Sequence, residues 1–124
     1  MTVFVVDDET AIADTLAAIL RGAGFSARAF YDGQQALDAK ETPDFVISDV
    51  VMPGLNGLEL VTQMRKRFPA CQLLLFSGQA VHGLRELESA DTSVEILPKP
   101  VHPSVLIRRV SAARDLLRHP PSGK

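Results

Sequence analysis

Five short apolar runs alternate along the chain with longer stretches in which apolar residues recur every three or four positions. The runs cover residues 2–6, 25–30, 45–48, 71–76 and 94–97. Short apolar runs rich in β-branched residues are typical of buried strands. The second run alternates apolar and polar residues, which predicts a less buried strand. The run over residues 71–76 is the most apolar, which predicts the central strand.

The stretches between the runs predict five helices of unequal strength. The first ends at Gly22 and Gly24, and its apolar face consists of Ile12, Leu16, Ile19, Leu20 and Ala23. A short, weak helix is expected over residues 34–40, after the turn residues Asp32 and Gly33.

Helix-terminal residues mark the third and fifth helices. Asn56 can cap the third helix with Glu59 as its capping-box partner, and Pro69 ends it. Pro103 suits the first turn of the fifth helix, whose apolar face consists of Leu106, Val110, Ala113 and Leu117. The fourth helix, suggested by Val81, Leu84 and Leu87, is marginal because the stretch contains Gly83 and several charges.

Strands that alternate with helices predict an α/β protein. Continuously apolar strands indicate a parallel sheet that is covered on both faces. Right-handed crossover connections then favour a three-layer, doubly wound arrangement of five parallel strands.

The composition fits one small domain and excludes several functions. A chain of 124 residues, 46% of them hydrophobic, can bury a core without disulfides or metals. The net charge of −2 gives no sign of nucleic-acid binding. No apolar run approaches the ~18 residues of a membrane helix, and the N-terminus lacks the features of a signal peptide. Cys71, the only cysteine, fits the reducing cytoplasm, which is the expected location.

Polar side chains follow four of the five predicted strands. Asp7 and Asp8 follow the first strand, Asp49 the third, Ser77 the fourth and Lys99 the fifth. In a doubly wound sheet, ligands bind beyond the carboxyl ends of the strands, where the strand order reverses. These side chains are therefore expected to meet at one edge of the sheet.

This set of side chains suits a carboxylate that accepts a phosphoryl group. Three carboxylates packed together repel one another, and burial makes the repulsion worse. A divalent cation such as Mg²⁺, which prefers oxygen ligands, relieves it. Lys99 supplies a positive charge for a phosphoryl oxygen. Aspartate is a known nucleophile that forms aspartyl phosphate, and phosphoryl transfer requires mainly positioning and charge neutralisation.

Four segments, VVDDE, ISDVVMPGLNG, LLLFSG and ILPKP, resemble the receiver domain of two-component response regulators, and the chain looks like the chemotaxis regulators among them. The segments occur in the order that is typical of this family. The resemblance implies a flavodoxin-like sheet with the strand order 2-1-3-4-5. It also implies a receiver domain over residues 1–118, followed by a polar tail or the start of a linker at residues 119–124.

The resemblance implies that Asp49 is the phosphoacceptor. It implies a bound Mg²⁺, or Mn²⁺, which Asp8 contacts directly and Asp7 contacts through water. Asp49 and the backbone carbonyl of Val51 would be further metal ligands, so the side chain of Val51 is free to vary.

The remaining site residues are also assigned by the resemblance. Ser77 would hydrogen-bond the phosphoryl group and act as the switch hydroxyl. Lys99 would contact the phosphoryl oxygens, held in place by a cis Lys99–Pro100 peptide bond. Ile96 stands where the family usually has Tyr or Phe, so the aromatic rotation that couples to the hydroxyl in many members is replaced by smaller repacking. Val51 and Gln79 occupy the positions that tune the lifetime of the phosphoryl group.

The implied function is a phosphorylation-gated switch in a two-component system. A sensor histidine kinase or a phosphotransfer protein would supply the phosphoryl group. The surface formed by the fourth helix, fifth strand and fifth helix would then bind a downstream protein or a fused output domain, and a weak homodimer through it is a hypothesis. Only self-phosphorylation and autodephosphorylation are expected as chemistry, without direct contact to nucleic acid or membrane.

Three other functions compete with this interpretation. A degenerate receiver would bind partners without being phosphorylated, and Ile96 keeps that alternative open. A phosphatase with an aspartyl nucleophile requires the pattern D-x-D, whereas this chain has Asp7-Asp8-Glu9 and no room for a cap domain. A flavodoxin-like cofactor protein is disfavoured because the loop after the first strand is acidic, where a flavin phosphate would require backbone amides.

Overall fold

A computed structural model describes residues 1–78, 84–91 and 93–118 of the chain. The elements alternate throughout: β1 (Thr2–Val6), α1 (Thr10–Gly22), β2 (Ser26–Phe30), α2 (Gly33–Asp38), β3 (Phe45–Asp49), α3 (Gly57–Arg67), β4 (Gln72–Ser77), α4 (Leu84–Ala90), β5 (Val94–Pro98) and α5 (Pro103–Arg118). Of the positions used above, Gln79, Val81 and Gly83 lie outside the described residues, as does the predicted tail at residues 119–124.

The five strands form one parallel sheet with the order β2-β1-β3-β4-β5. The predicted fold class and strand order are therefore confirmed. Successive side chains of a strand point to opposite faces, and this divides the core into two layers. Phe4 and Val6 pack in the layer with residues of α2 and α3, whereas Val3 and Val5 pack in the layer with residues of α1 and α5.

The central strand is β3, so the prediction that residues 71–76 form the central strand is wrong. β4 lies between β3 and β5 and is paired along both edges. Its continuous apolar sequence reflects helices on both faces and strands on both sides, a condition that β3 shares. The apolar character of a strand therefore reports its burial and not its place in the strand order. β2, at one edge, has the lower burial that its alternating sequence predicted.

Helix α1 ends as predicted, and most of its predicted face packs on the sheet: Leu20 is buried, and Leu16 and Ala23 pack against the same core layer. Gly24 adopts a φ of 98°, a left-handed conformation that suits glycine. The buried side chains of α1 are Ala13, Ala17 and Leu20. Ile12, which was assigned to the inner face, is 37% exposed.

The other helices follow their terminal residues closely. In α3, the Asn56 side chain accepts from the backbone N–H of Glu59 and the Glu59 carboxylate accepts from that of Asn56, each at 2.9 Å, so the predicted capping box is confirmed. In α2, Asp32 accepts from the N–H of Gln35, and the helix ends at Asp38, earlier than predicted.

Helix α5 buries only part of its predicted face. Leu106, Val110 and Ala113 are buried, whereas Leu117, assigned to the same face, is 60% exposed. Leu117 lines an open groove beside Pro43 and the other loop residues that precede the strands. The final turn of α5 has therefore passed the end of the sheet and has no strand to cover it. Among the helices that the structure describes, none combines the length and the apolar character that crossing a bilayer requires.

Arg65 of α3 joins three segments at the edge of the sheet where the strands begin. Its Nε donates to Asp91 Oδ2 at 2.8 Å, and its Nη1 donates to the backbone oxygens of Pro69 and Cys71 at 2.6 Å and 2.8 Å. Its Nη2 donates to the hydroxyl of Ser93. One guanidinium thereby ties α3 to the loop before β4 and to the residues between α4 and β5.

Replacing this guanidinium is expected to destabilise the fold. Arg65→Met keeps an apolar stem but removes the donor to Asp91 Oδ2, to the partly buried carbonyl of Cys71 and to the exposed carbonyl of Pro69. We expect a loss of about 1–3 kcal/mol in the free energy of unfolding, measured by urea denaturation at neutral pH. Lys66→Met, at the exposed neighbouring position, is the matched control and should change stability by less than about 0.5 kcal/mol. Equal losses in the two variants would contradict the assigned role.

Candidate functional site

The carboxyl ends of four strands bring the predicted site residues to one edge of the sheet. Asp7 directly follows β1, Asp49 is the last residue of β3, Ser77 is the last residue of β4, and Lys99 directly follows β5. β1 and β3 are neighbours in the sheet although they are separated in sequence by β2. The residues therefore lie at the point where the strand order reverses, which is where doubly wound sheets bind ligands.

Hydrogen bonds to neighbouring strands fix the backbone at these strand ends. The N–H of Asp7 donates to the Phe30 oxygen at 3.1 Å. The N–H of Val50 donates to the Phe76 oxygen at 3.0 Å, and the N–H of Lys99 donates to the Ser77 oxygen at 2.9 Å. The sheet ladder thus continues past the last residues of the strands, so the site side chains project from ordered backbone rather than from free loops.

Three carboxylates form the acidic half of the site. Oxygens of Asp7, Asp8 and Asp49 lie within 4.8 Å of one another. Asp7 is 2% exposed and Asp49 is 7% exposed, whereas Asp8 is exposed. Burial raises the pKa of Asp7 above its ordinary value, and the negative charges of Asp49 and Asp8 add to the rise. Its hydrogen bond from the N–H of Glu9 and the charge of Lys99 act in the opposite direction.

Lys99 forms the basic half of the site. Its Nζ lies 2.7 Å from Asp49 Oδ2. Burial disfavours its charged form, but the hydrogen bond and negative charge of Asp49, with the charges of Asp7 and Glu9, outweigh it and raise the pKa of Lys99. The other carboxylate oxygen of Asp49 accepts from the N–H of Val51 at 3.3 Å. The two oxygens of Asp49 are therefore held by two different groups.

The roles of the remaining predicted site residues stay predictions. Ser77 is buried, and its backbone pairs with Pro98 of β5. The Lys99–Pro100 peptide bond is cis. Ile96 is half-buried and packs against the core layer of α2 and α3. The side chain of Val51 is 55% exposed.

An apolar wall beside Lys99 was not predicted from the sequence. A cavity of about 260 Å³ adjoins Asp7 and Lys99 and is otherwise lined by Ile12, Leu16, Phe76, Pro100, Val101 and Leu106. Ile12 and Leu16 come from α1, while the proline, the valine and Leu106 come from the segment that follows Lys99. The sequence signal for this wall was the position of Ile12 in α1, next to the buried stripe formed by Ala13, Ala17 and Leu20.

The donor set of the acidic half fits a hard divalent cation. All three side chains offer carboxylate oxygens within 4.8 Å of one another, the ligand type that Mg²⁺ prefers. The raised pKa of Asp7 reflects burial and like charge, and a cation would relieve both. Lys99 alone offsets one of three negative charges, so the site has room for more positive charge.

Comparison with known families agrees with this geometry. The model of the response regulator receiver domain matches residues 3–111 of the chain. The chain belongs to this family. Receiver domains of response regulators are signalling modules of two-component systems, so the predicted family is confirmed.

Several relatives are response regulators with longer chains. The chain is 35% identical to the transcriptional regulatory protein CreB of Escherichia coli over 119 residues, which is 94% of this chain and 51% of CreB. It is 34% identical to FixJ of Bradyrhizobium diazoefficiens, covering 90% of this chain and 55% of FixJ. It is 33% identical to the DNA-binding transcriptional regulator NtrC of Klebsiella pneumoniae, covering 78% and 21%. The chain thus spans about half of CreB and FixJ and a fifth of NtrC.

Solved receiver domains share the fold. A CheY-like receiver domain protein from Methanospirillum hungatei superimposes with a TM-score of 0.83 at 23% identity, covering 94% of this chain and 95% of that one. The receiver domain of the hybrid histidine kinase CckA gives a TM-score of 0.74 at 30% identity, covering 91% and 98%.

The raised pKa of Asp7 predicts how stability depends on pH in metal-free protein. A folded-state pKa above the unfolded value means that ionising Asp7 costs stability as pH rises through the folded pKa. Asp7→Asn keeps an oxygen acceptor for the Glu9 N–H but carries no charge. We therefore expect Asp7→Asn to be more stable than wild type at neutral pH in chelator, with a difference that shrinks as pH falls toward the unfolded pKa of about 4.

Urea denaturation across this pH range measures that difference. The exposed Asp115→Asn is the matched control and should show no comparable pH-dependent gain. A gain that is the same at every pH, or no gain at neutral pH, would contradict the prediction.

Proposed function

We propose that the chain is a phosphoacceptor switch, in which Asp49 accepts a phosphoryl group from a sensor histidine kinase or a phosphotransfer protein. One observation carries the proposal. Asp49 lies between two carboxylates and a lysine, with Lys99 Nζ at 2.7 Å and oxygens of Asp7 and Asp8 within 4.8 Å. A buried carboxylate that contacts a lysine ammonium group and lies beside two further carboxylates, which can bind a metal cation, suits transfer of a phosphoryl group.

The chemistry requires little beyond positioning. A carboxylate oxygen of Asp49 forms a bond to phosphorus while the bond between phosphorus and the donor atom breaks, and the bonding electrons leave with the donor. Asp7, Asp8, Asp49 and the backbone carbonyl of Val51 would hold Mg²⁺ or Mn²⁺. The bound ion supplies positive charge that offsets the repulsion between the phosphoryl oxygens and the carboxylates. Lys99 exchanges its contact with Asp49 for one with a phosphoryl oxygen.

The proposed switch runs from Ser77 to the strand at the sheet edge. Ser77 would donate its hydroxyl to the new phosphoryl group. Its backbone pairs with Pro98, and Leu75 pairs with Ile96, so a shift of β4 at Ser77 is passed directly to β5. Ile96 is smaller than the aromatic residue usual in the family, so we expect repacking of an aliphatic side chain instead of a ring rotation.

The output surface is proposed to include α4, β5 and α5. β5 is an edge strand, and Glu95, Ile96 and Leu97 in it are only half-buried. A downstream protein or a fused output domain would recognise this surface. CreB, FixJ and NtrC are named as transcriptional or DNA-binding regulators, which favours an output that acts on transcription through another domain or protein.

Phosphorylation by a small donor tests the function directly. The protein is incubated with acetyl phosphate and Mg²⁺ and its intact mass is measured. We expect the mass of one phosphoryl group to be added to wild type and to Asp115→Asn, an exposed aspartate control. We expect no addition to Asp49→Asn, and none to wild type in chelator.

The outcomes separate the proposal from its main rival. Addition to both wild type and Asp49→Asn would place the acceptor elsewhere. Addition to neither would fit a short-lived phosphoryl group or a receiver that acts only by binding. Titration with beryllofluoride, which mimics the phosphoryl group and does not hydrolyse as aspartyl phosphate does, decides between them, because only an intact acceptor site binds it.

Activation is also expected to favour a weak dimer through the α4, β5 and α5 surface. Light scattering coupled to size exclusion measures the mass with and without beryllofluoride and Mg²⁺. The expected result is a mass that rises with protein concentration only in the presence of the mimic. Asp49→Asn is the control and should stay monomeric in both conditions. A monomeric wild type in both conditions would contradict the dimer but not the phosphorylation.

A further inference from the structure

The first residue of α3 packs directly on the backbone of the acceptor strand. A Cβ atom built at Gly57 would lie 2.5 Å from the backbone oxygen of Asp49 and 2.8 Å from Cα of Val50. Both distances are shorter than van der Waals contact. The N–H of Gly57 also donates to the Val50 oxygen at 2.8 Å. The helix therefore reaches the acceptor segment only because residue 57 has no side chain.

The acceptor backbone has little freedom to move away from α3. The Asp49 oxygen also accepts a hydrogen bond from Ser48 Oγ at 2.9 Å. The N–H of Val50 is bonded to Phe76 of β4 at 3.0 Å. Asp49 and Val50 are both buried. A side chain at residue 57 would therefore push either the acceptor strand or the start of α3 out of place.

Gly33 provides a comparison within the same molecule. Gly33 is the first residue of α2, as Gly57 is the first residue of α3, and each follows a residue whose side chain caps its helix. A Cβ at Gly33 would meet the side chain of Leu55, at 2.9 Å from Cδ2. Rotation of this half-buried side chain relieves the closest contact and leaves a milder one of 3.2 Å with Leu55 Cβ. The contacts of Gly57 are with backbone and cannot be relieved by rotation.

We propose that Gly57 is a positioning residue for phosphorylation: its missing side chain lets α3 set the position of the Asp49–Val51 backbone, in which the Asp49 oxygen also accepts a hydrogen bond from Ser48 Oγ. The inference rests on the proposed function, because the acceptor carboxylate and the proposed metal-ligating carbonyl of Val51 both belong to this segment. A displacement of the segment would move both relative to Asp7, Asp8 and Lys99, which are anchored on other strands.

Gly57→Ala and Gly33→Ala test the inference as a matched pair. Mg²⁺ affinity is measured by titration calorimetry, the phosphorylation rate by intact mass with acetyl phosphate, and folding by urea denaturation. We expect Gly57→Ala to weaken Mg²⁺ binding about tenfold or more, as is typical when the support of metal ligands is disturbed, and to slow phosphorylation. Gly33→Ala should stay within about twofold of wild type in both. In metal-free protein, amide resonances of residues 49–51 should shift only in Gly57→Ala.

The outcomes distinguish positioning from a purely structural role. If Gly57→Ala is less stable but its folded form binds Mg²⁺ and is phosphorylated like wild type, the inference is overturned. If wild type itself neither binds Mg²⁺ nor is phosphorylated, the proposed function fails and the inference fails with it. If Gly57→Ala does not fold, Ser48→Ala loosens the same oxygen without adding volume. It should weaken Mg²⁺ binding in the same direction, and unchanged binding in Ser48→Ala would overturn the inference.

Discussion

The contact between Lys99 and Asp49 is the interaction on which the rest of the site depends. A carboxylate as buried as Asp49 is costly to desolvate unless an opposite charge and hydrogen bonds compensate it. Lys99 Nζ compensates the charge at 2.7 Å from Asp49 Oδ2, and the N–H of Val51 donates to Asp49 Oδ1. Lys99 follows β5 and Asp49 ends β3, so the contact spans β4. The charge of Asp49 on the central strand β3 is therefore compensated by a residue whose position depends on the edge strand β5.

This tie gives a physical reason why a charge change at Asp49 would be felt on the protein surface. The site already holds three carboxylates against one ammonium, and the pKa of Asp7 is raised by burial and by its acidic neighbours. Any further negative charge on Asp49 alters the most favourable contact that Lys99 makes. Lys99 is bonded through its N–H to Ser77 and is adjacent to the residues of β5. β5 is an edge strand and is half-buried over Glu95, Ile96 and Leu97, so it is held less tightly than the interior strands β3 and β4.

Much of the fold could be predicted because it depends on local sequence. The runs of apolar residues fixed the strands, Asn56 and Glu59 fixed the start of α3, and the residues at the strand ends identified Asp7, Asp49 and Lys99. The exposure of Ile12 and Leu117 could not be predicted, because it depends on where a helix lies relative to the ends of the sheet. Helical periodicity shows which residues share a face but not where the underlying strands stop.

Contacts between distant segments were equally hidden from the sequence. Arg65 bonds to Asp91 and Ser93, more than 25 residues away, and nothing in the spacing of these residues distinguishes them from an ordinary solvated surface. The close approach of Gly57 to the Asp49 oxygen is of the same kind. Glycine near a turn suggests a backbone requirement, but whether that requirement is a left-handed φ, as at Gly54, or a close contact, as at Gly57, depends on the packed structure.

The two ends of the strands are held by different kinds of contact, and this difference suggests where motion can occur. At the edge where the strands begin, the Arg65 guanidinium ties α3 to Asp91 and Ser93, directly after α4. At the opposite end of the strands, Asp49 is held by the ammonium group of Lys99 and by the N–H of Val51, so charge plays a larger part in the contacts there. Arg65 also donates to the backbone oxygens of Pro69 and Cys71, and none of these partners of Arg65 belongs to the candidate site. In the proposed switch, the contacts of Arg65 would therefore stay in place while the contacts of Asp49 change, so movement would be confined to the end of the sheet that carries the site.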